Sequence, residues 1–441
     1  MRIHTYKEVD VRSIAIIGTG QGGLQLAFGL LSDGYEVTVY SDRTPEQIAA
    51  GRLPSSNGLF GRAVARERAL DICFWDGEPP LIEQTDAKLT DPEGHLAVEF
   101  TGRFAQYGQS VDQRLKFSTW LEAFAGRGGK IVYGAVDLAG LDEIAAVNDL
   151  TIVAAGKGEI AKIFSVDQTR TPYQRPQRSI GMISLINTEH PAPDGVSYNI
   201  RPGIGEAFGI PMLTAAGPAV TWVMEALPGG PMDRWSQATT AEEMLELTKR
   251  TFADFFPWEM ARYTEAHISD PNGWLCGAVP PLVREPIALL PSGRKVVGMA
   301  DVLVLNDPCC GQGANNASTH AEVMHRLILD RGSQPFDETW MQATFDRFWD
   351  QAQHPTKFTN TMLAFNNPGS APPEHAMELL TTATQVPEVA HRFVNAFNDP
   401  SDLENFFYDP ELTTRYLAEA RARHELRLRG RADLSSVGGK G

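Results

Sequence analysis

The sequence predicts an α/β protein: a parallel sheet near the N-terminus, a sheet-rich middle and a helical C-terminal region. Three observations carry that reading. The apolar run Ser13-Ile14-Ala15-Ile16-Ile17 stands directly before the glycine-rich turn Gly18-Thr19-Gly20-Gln21-Gly22-Gly23. Between about residues 179 and 225, strand-like runs are broken by Pro and Gly. From about residue 320 the pattern is helical, punctuated by Pro372-Pro373 and Pro400.

The elements follow in order. Residues 13–17 have the β-branched pattern of a strand buried on both faces. Residues 24–31 continue with helical apolar spacing, and Asp33-Gly34 marks a stop and turn. Glu36-Val37-Thr38-Val39-Tyr40 reads as a second strand, which completes a β-α-β unit. Val111-Asp112-Gln113-Arg114-Leu115 opens a helix running to Phe124, ended by Gly126-Arg127-Gly128-Gly129. Residues 130–133 and 150–154 read as strands, as does the run 219–224. The run 295–301 reads as a buried strand that ends in the carboxylate of Asp301.

Composition narrows the class. At roughly 150 residues per domain, 441 residues suggest two or three domains. Charged residues make 21% and hydrophobic ones 42%, and the formal net charge is −16. An acidic balance argues against nucleic acid or an anionic membrane surface as the main partner. Met1 to Glu8 carries charges where a signal peptide needs an apolar core, and no apolar run approaches about 18 residues. The expectation is a cytoplasmic enzyme. The four cysteines (Cys73, Cys276, Cys309, Cys310) contain no C-x-x-C pair, so neither a disulfide framework nor a zinc site is indicated. The ten histidines are dispersed, and no nucleophile–base constellation emerges.

The turn Gly18-x-Gly20-x-x-Gly23 carries the first functional signal. Its first glycine permits the tight turn and its second lets a pyrophosphate approach the backbone. The third lets the helix pack on the strand, while free N–H groups at the helix start face the phosphates. At the end of the second strand, where a ribose-binding acid belongs, Asp42 and Arg43 compete for contact with the adenosine. This unit alone does not separate FAD from NAD. The separation comes from Gly298-Met299-Ala300-Asp301 and Asp307-Pro308-Cys309-Cys310-Gly311-Gln312-Gly313-Ala314-Asn315. A carboxylate at Asp301 can accept from ribityl hydroxyls, and a helix starting at the second glycine turn favours an anionic reduced flavin.

These two blocks, together with Arg52 in Gly51-Arg52-Leu53 and Val111-Asp112-x-Arg114-Leu115, resemble the flavoprotein hydroxylase fold. Within it, the chain resembles the oxygenase component of two-component styrene and indole monooxygenases nearly end to end. The match takes in Ala69-Leu70-Asp71, Arg175-Pro176-Gln177-Arg178, Ile210-Pro211, Gly277-x-Val279-Pro280, Pro372-Pro373-Glu374 and Asn395-x-Phe397-Asn398.

The resemblance implies an FAD-binding Rossmann-like domain of residues 1–75, 108–165 and 290–335. A substrate-binding domain would comprise 76–107 and 166–289, and a helical region 336–441. It implies Arg52 and Arg114 on the FAD pyrophosphate or ribose, their alternative being interdomain salt bridges. Asp301 would take the ribityl chain, and Pro308, Gly311, Gly313, Ala314 and Asn315 the isoalloxazine side. In such enzymes reduced FAD, delivered by a separate flavin reductase, reacts with O2 to a C4a-hydroperoxide whose distal oxygen epoxidises a small aromatic alkene. That chemistry asks for a dry, shaped pocket rather than an acid or base. Self-contained relatives that bind NAD(P)H carry an Asp-Gly motif where this chain has Ala154-Ala155-Gly156-Lys157.

For the substrate, the resemblance places Ser55, Asn57 and Leu59 in the loop facing the flavin, then Ile82 and Thr85, with Val223 and Cys309 as further pocket positions. A small serine and an aliphatic Ile82 match the indole type better than the styrene type, and Asn57 would orient the indole N–H. Other readings remain a single-component NAD(P)H-dependent aromatic hydroxylase and a flavin-binding protein without oxygenase chemistry. A homodimer is compatible with the sequence. The basic run Arg421, Arg423, Arg427, Arg429 and Arg431 reads as a solvated helix end or as a docking face for a reductase or second copy.

Overall fold

The N-terminal apolar run becomes the strand Ser13–Ile17, in which Ile14, Ala15 and Ile16 are fully buried. It is central because its β-branched side chains are covered on both faces, as a parallel sheet requires. The structure, a computed structural model, describes residues 11–78, 80–156, 158–188, 195–367, 369–370 and 372–437, with side chains up to residue 429. The expectations at Met1 to Glu8, at Lys157 and at the Arg431 side chain lie outside the described residues.

Six strands form the first sheet, in the order Ile287–Leu289, Lys295–Gly298, Leu150–Val153, Ser13–Ile17, Glu36–Ser41 and Lys130–Tyr133. All neighbours pair in parallel except the first two, which are antiparallel. The helices Gln21–Ser32 and Gln113–Gly126 share a core with this sheet. There Phe28 meets Trp120 and Phe124 edge-on at 6.1 and 5.5 Å. Asp112 caps the second helix by accepting from Arg114 N–H at 2.8 Å, which satisfies one of the donors a helix start leaves open.

Nine strands form the second sheet. Its middle is an antiparallel run of Ser179–Ile186, Gly217–Ala226, Gly205–Thr214 and Gly195–Arg201. Leu81–Thr90 then joins in parallel to Gly195–Arg201 and antiparallel to Leu96–Ser110. The helix Ala241–Phe255, opened by a Thr240/Glu243 capping box, covers Trp222 and Trp235.

The helix Pro387–Asn395 packs on the strand Leu96–Ser110. Contact is close because Gly102 has no side chain: a Cβ there would lie 2.3 Å from Val394 Cγ2. Asn395 fixes the pair, accepting from Ala105 N–H at 2.9 Å and donating to Arg103 O at 2.9 Å. Arg178 is fully buried, bound to Glu206 through two 2.9 Å bonds and to Leu363 O at 3.2 Å. It thereby ties the second sheet to the helix Glu338–Phe365.

One expected element ends early. The strand 295–301 stops at Gly298, and Asp301 lies beyond it in the 3-10 turn Ala300–Val302. The chain leaves the strand because Ala300 adopts φ +54, a left-handed conformation no strand contains. No helix among the described residues is long and apolar enough to cross a membrane.

Candidate functional site

Two glycine turns and the second sheet enclose one cavity of about 1270 Å³. Pockets for a drug-sized ligand run to roughly 1,000 Å³, so this one has room for a dinucleotide together with a small second molecule.

The first turn builds one end. Gly18 has φ +117, and a Cβ on it would stand 2.7 Å from Ala155 N. Gly23 sits against the strand, where a Cβ would come 2.3 Å from Gly18 O, and it does not line the cavity. Gly20 does line it, with open space where a Cβ would be. Gly20 caps the helix without any side-chain bond, and Leu24 N–H is the first donor used inside the helix, to Gly20 O at 3.1 Å. The preceding N–H groups are therefore open to an anion at the positive end of the helix dipole.

Asp42 and Arg43 both face the cavity beside this turn, paired with each other at 3.5 Å. Arg52 also lines it, its guanidinium 4.3 Å above the Trp274 ring, with no ion pair among the described residues. Arg114 lies on the wall but is fully engaged. Its guanidinium donates to Asp112 at 2.7 Å, Asp270 at 2.8 and 2.9 Å, and Gly51 O at 3.3 Å. Arg114 thereby clamps the loops that carry Arg52 and Asp270, which is the salt-bridge alternative to its expected place on the FAD pyrophosphate or ribose.

The second turn builds the other half. Gly311, at φ +61, caps the helix Gln312–Arg331, again without a side-chain bond. Pro308, Gly311, Gly313 and Ala314 line the cavity, and a Cβ on Gly313 would meet nothing. Asn315 does not reach it. Its amide instead fixes the turn, accepting from Phe60 N–H at 2.9 Å and donating to Gly58 O at 2.9 Å and Gly311 O at 2.8 Å. Asp301 lines the cavity opposite Gly156, where a Cβ would fall 2.7 Å from Asp301 Cβ. Ala154, Ala155 and Gly156, the segment expected to stand in place of an Asp-Gly motif, form part of the wall.

Beyond the second turn the cavity becomes an apolar chamber. Ser55, Ile82, Thr85, Val223 and Cys309 line the cavity. Two expected residues do not. Asn57 is buried with its amide donating to Val111 O at 3.3 Å, and Leu59 packs against Ala63 and Val64. Both turn away because Gly58–Leu59 pairs with Gln109 and Ser110 at the sheet edge. Sequence reading missed Tyr198, Phe208 and Phe397. Tyr198 stacks on Phe208 at 4.4 Å, meets Phe397 edge-on at 5.8 Å and donates to Cys309 O at 2.9 Å. Phe397 stood inside a quoted motif, Asn395-x-Phe397-Asn398, and could have been found from it.

Behind this wall lies a buried acid pair. Glu225 pairs in register with Glu206, whose charge Arg178 already takes. Glu225 has no cation within 4 Å among the described residues, and its carboxylate lies with those of Asp307 and Cys309 Sγ in one cluster. Burial, then the Asp307 charge, pushes the Glu225 carboxyl well up, and burial also raises Asp307. Burial likewise pushes the Cys309 thiol well up, so it is held as an unreactive thiol. The Cys309 and Cys310 sulfurs stand 3.8 Å apart and are not bonded.

The C-terminal basic run is answered within the chain. Arg421 pairs with Glu378 at 3.0 Å, Arg423 and Arg427 with Glu388 at 2.7 and 3.5 Å, and Arg429 with Glu425 at 3.9 Å.

Residues 156–262 match a family model described as "Styrene monooxygenase A putative substrate binding domain". The chain is 28% identical over 407 residues to styrene monooxygenase StyA of Pseudomonas fluorescens, covering 91% of this chain and 96% of that one. A StyA from another Pseudomonas matches equally. Among solved structures, the flavin-dependent brominase Bmp2 superposes with a TM-score of 0.65 at 12% identity, covering 95% of this chain and 99% of that chain. A flavoprotein/dehydrogenase from Cytophaga hutchinsonii also gives 0.65, at 10% identity, over 93% and 100%. The fold is therefore that of flavin-dependent hydroxylases and halogenases.

Proposed function

We infer that this chain, similar to styrene monooxygenases over nine-tenths of its length, is an FAD-dependent monooxygenase of the styrene-monooxygenase type. It would act as an oxygenase component that receives reduced FAD from a separate flavin reductase and epoxidises indole, and styrene-like alkenes beside it. The observation that carries this reading is a single cavity that joins two uncapped glycine-turn helices to an apolar, aromatic-walled chamber.

The residues fit FAD. The open space at Gly20 and the helix N–H groups suit the pyrophosphate, with Arg52 supplying a positive charge beside them. Asp42 or Arg43 suits the adenosine ribose and Asp301 the ribityl hydroxyls. The helix start at Gly311 favours negative charge on the isoalloxazine edge. In this arrangement the six-stranded sheet serves the cofactor and the nine-stranded sheet supplies the substrate wall. Reduced FAD, when bound, supplies the activated oxygen derived from O2.

The chain's own part is to orient the alkene and keep water out. Tyr198, Phe208, Val223 and Phe397 give a wall without a charged group, suited to an aromatic ring. Since Asn57 faces Val111, the preference for indole rests on Ser55 and Ile82. A one-methylene mismatch in such a pocket costs only about 1–3 kcal/mol, so both substrates should turn over. The Ala154-Ala155-Gly156 wall in place of an Asp-Gly motif supports delivery of flavin already reduced.

The test supplies the pure chain with indole or styrene and O2, with either chemically reduced FAD or FAD plus NADH. Product from reduced FAD alone supports a two-component epoxidase and ranks the substrates. Product with NADH and no reductase would instead mean a self-contained hydroxylase. FAD binding without product in either arm would mean a flavin-binding protein of another kind.

A further inference from the structure

We infer that His320 is a positioning residue for the cofactor site: its Nδ1 holds the strained backbone of Ala300 and thereby sets where Asp301 stands on the cavity wall. The inference rests on reading that cavity as an FAD site.

The strand Lys295–Gly298 runs out beside the cavity, and the chain turns at Met299 and Ala300 into the 3-10 turn that carries Asp301. Ala300 makes that turn at φ +54. For a residue with a Cβ this conformation is unfavourable and persists only where its surroundings hold it. The holding contact is specific. Ala300 N–H donates to His320 Nδ1 at 3.0 Å, inside the protein, where an unpaired amide would be costly. On the next side, a Cβ on Gly22 would lie 3.2 Å from Ala300 Cβ, so the turn also abuts the first glycine helix.

His320 is built to do this. Its ring is fully buried and lies flat on Phe348, with centroids 3.7 Å apart and planes 13° from parallel. Burial lowers its pKa to about 3, so the ring is neutral. A neutral ring whose Nδ1 accepts must carry its proton on Nε2, and Nε2 is buried with no partner among the described residues. A Phe or Leu would fill the same space without that orphaned donor. What histidine offers here and Phe or Leu does not is the acceptor.

Its place in the chain explains why this matters for the cofactor. His320 stands on the helix Gln312–Arg331, roughly two turns from its start. The N-terminus of this helix closes the second glycine turn. One rigid helix thus fixes both the Gly311 turn and the Asp301 turn, which hold different parts of one ligand.

The experiment compares wild type, His320→Phe and His320→Phe/Ala300→Gly for affinity towards reduced FAD under anaerobic conditions, with thermal melting recorded for each. His320→Phe keeps the stack on Phe348 and loses the acceptor, and it should weaken FAD binding by roughly tenfold, the scale of the left-handed strain at Ala300 that it no longer holds. Glycine adopts positive φ without help, so the double variant should recover to within about threefold of wild type. A merely structural histidine would not be rescued in this way. Wild-type affinity in His320→Phe would overturn the inference, as would a double variant no better than the single one. Should His320→Phe not fold alone, the double variant must fold and bind, and its failure would count equally against the inference. The Ala300 amide supplies a readout independent of FAD: it should be protected from hydrogen exchange in wild type and lose that protection in His320→Phe. If wild type binds no FAD while that protection is present, the cofactor reading fails and the clamp stands.

Discussion

Gly20 and Gly23 belong to one turn, yet a methyl group at each would do different things. At Gly23 it would stand 2.3 Å from Gly18 O, so the helix and strand must separate. Gly23→Ala should cost about 1–3 kcal/mol of stability, the range for overpacking, and lower Tm. At Gly20 the methyl group meets only open space and the backbone is at φ −81, which alanine adopts freely. Gly20→Ala should fold with nearly the wild-type Tm and bind FAD at least tenfold more weakly, because the methyl occupies the phosphate's approach. Melting curves and FAD titration on the two variants check this contrast. The two arginines divide in the same way. Arg114→Met leaves Asp112, buried, and Asp270 without their cation, and should destabilise the fold by about 3 kcal/mol. Arg52→Met breaks no ion pair among the described residues and should weaken FAD binding with little change in Tm. Denaturant unfolding beside FAD titration separates the two.

At the scale of elements, what could be read from the sequence was what is contiguous in it. Strand, turn and helix of the first unit lie within residues 13–40, so their apolar periods and glycines report one another directly. The second glycine turn was legible for the same reason. Pairings between distant segments were not. Nothing local says that Leu81–Thr90 runs parallel to Gly195–Arg201, or that Gly58–Leu59 joins a sheet edge and turns Asn57 and Leu59 from the cavity. The strand ends early at Gly298 because of the left-handed turn at Ala300, whose amide is met by His320, twenty residues on. The Glu206/Glu225 register likewise became visible only once the strands were aligned. That register has a pH consequence. Glu225 and Asp307 hold their proton more tightly in the fold than in the unfolded chain, mainly through burial. The stability they contribute is complete below the ordinary carboxylate range and is lost as pH rises through their raised values. Glu225→Gln keeps the shape and cannot ionise. Its Tm should fall less than that of wild type as pH rises above the ordinary carboxylate range; parallel curves would contradict the assignment.

At the scale of the whole molecule, both sheets and, through Phe397, the C-terminal helical region wall the cavity in which the proposed cofactor and substrate would meet. Reduced FAD should therefore stabilise the entire fold, by about 2.7 kcal/mol at a hundredfold excess over its Kd if it binds only the native state. The most direct test of the central claim follows the oxygen atom. The pure chain is mixed anaerobically with chemically reduced FAD and indole or styrene, then exposed to isotopically labelled O2. One labelled oxygen per product molecule is the predicted result. Unlabelled product, or bound reduced FAD that is reoxidised with hydrogen peroxide released and neither alkene altered, would contradict the account.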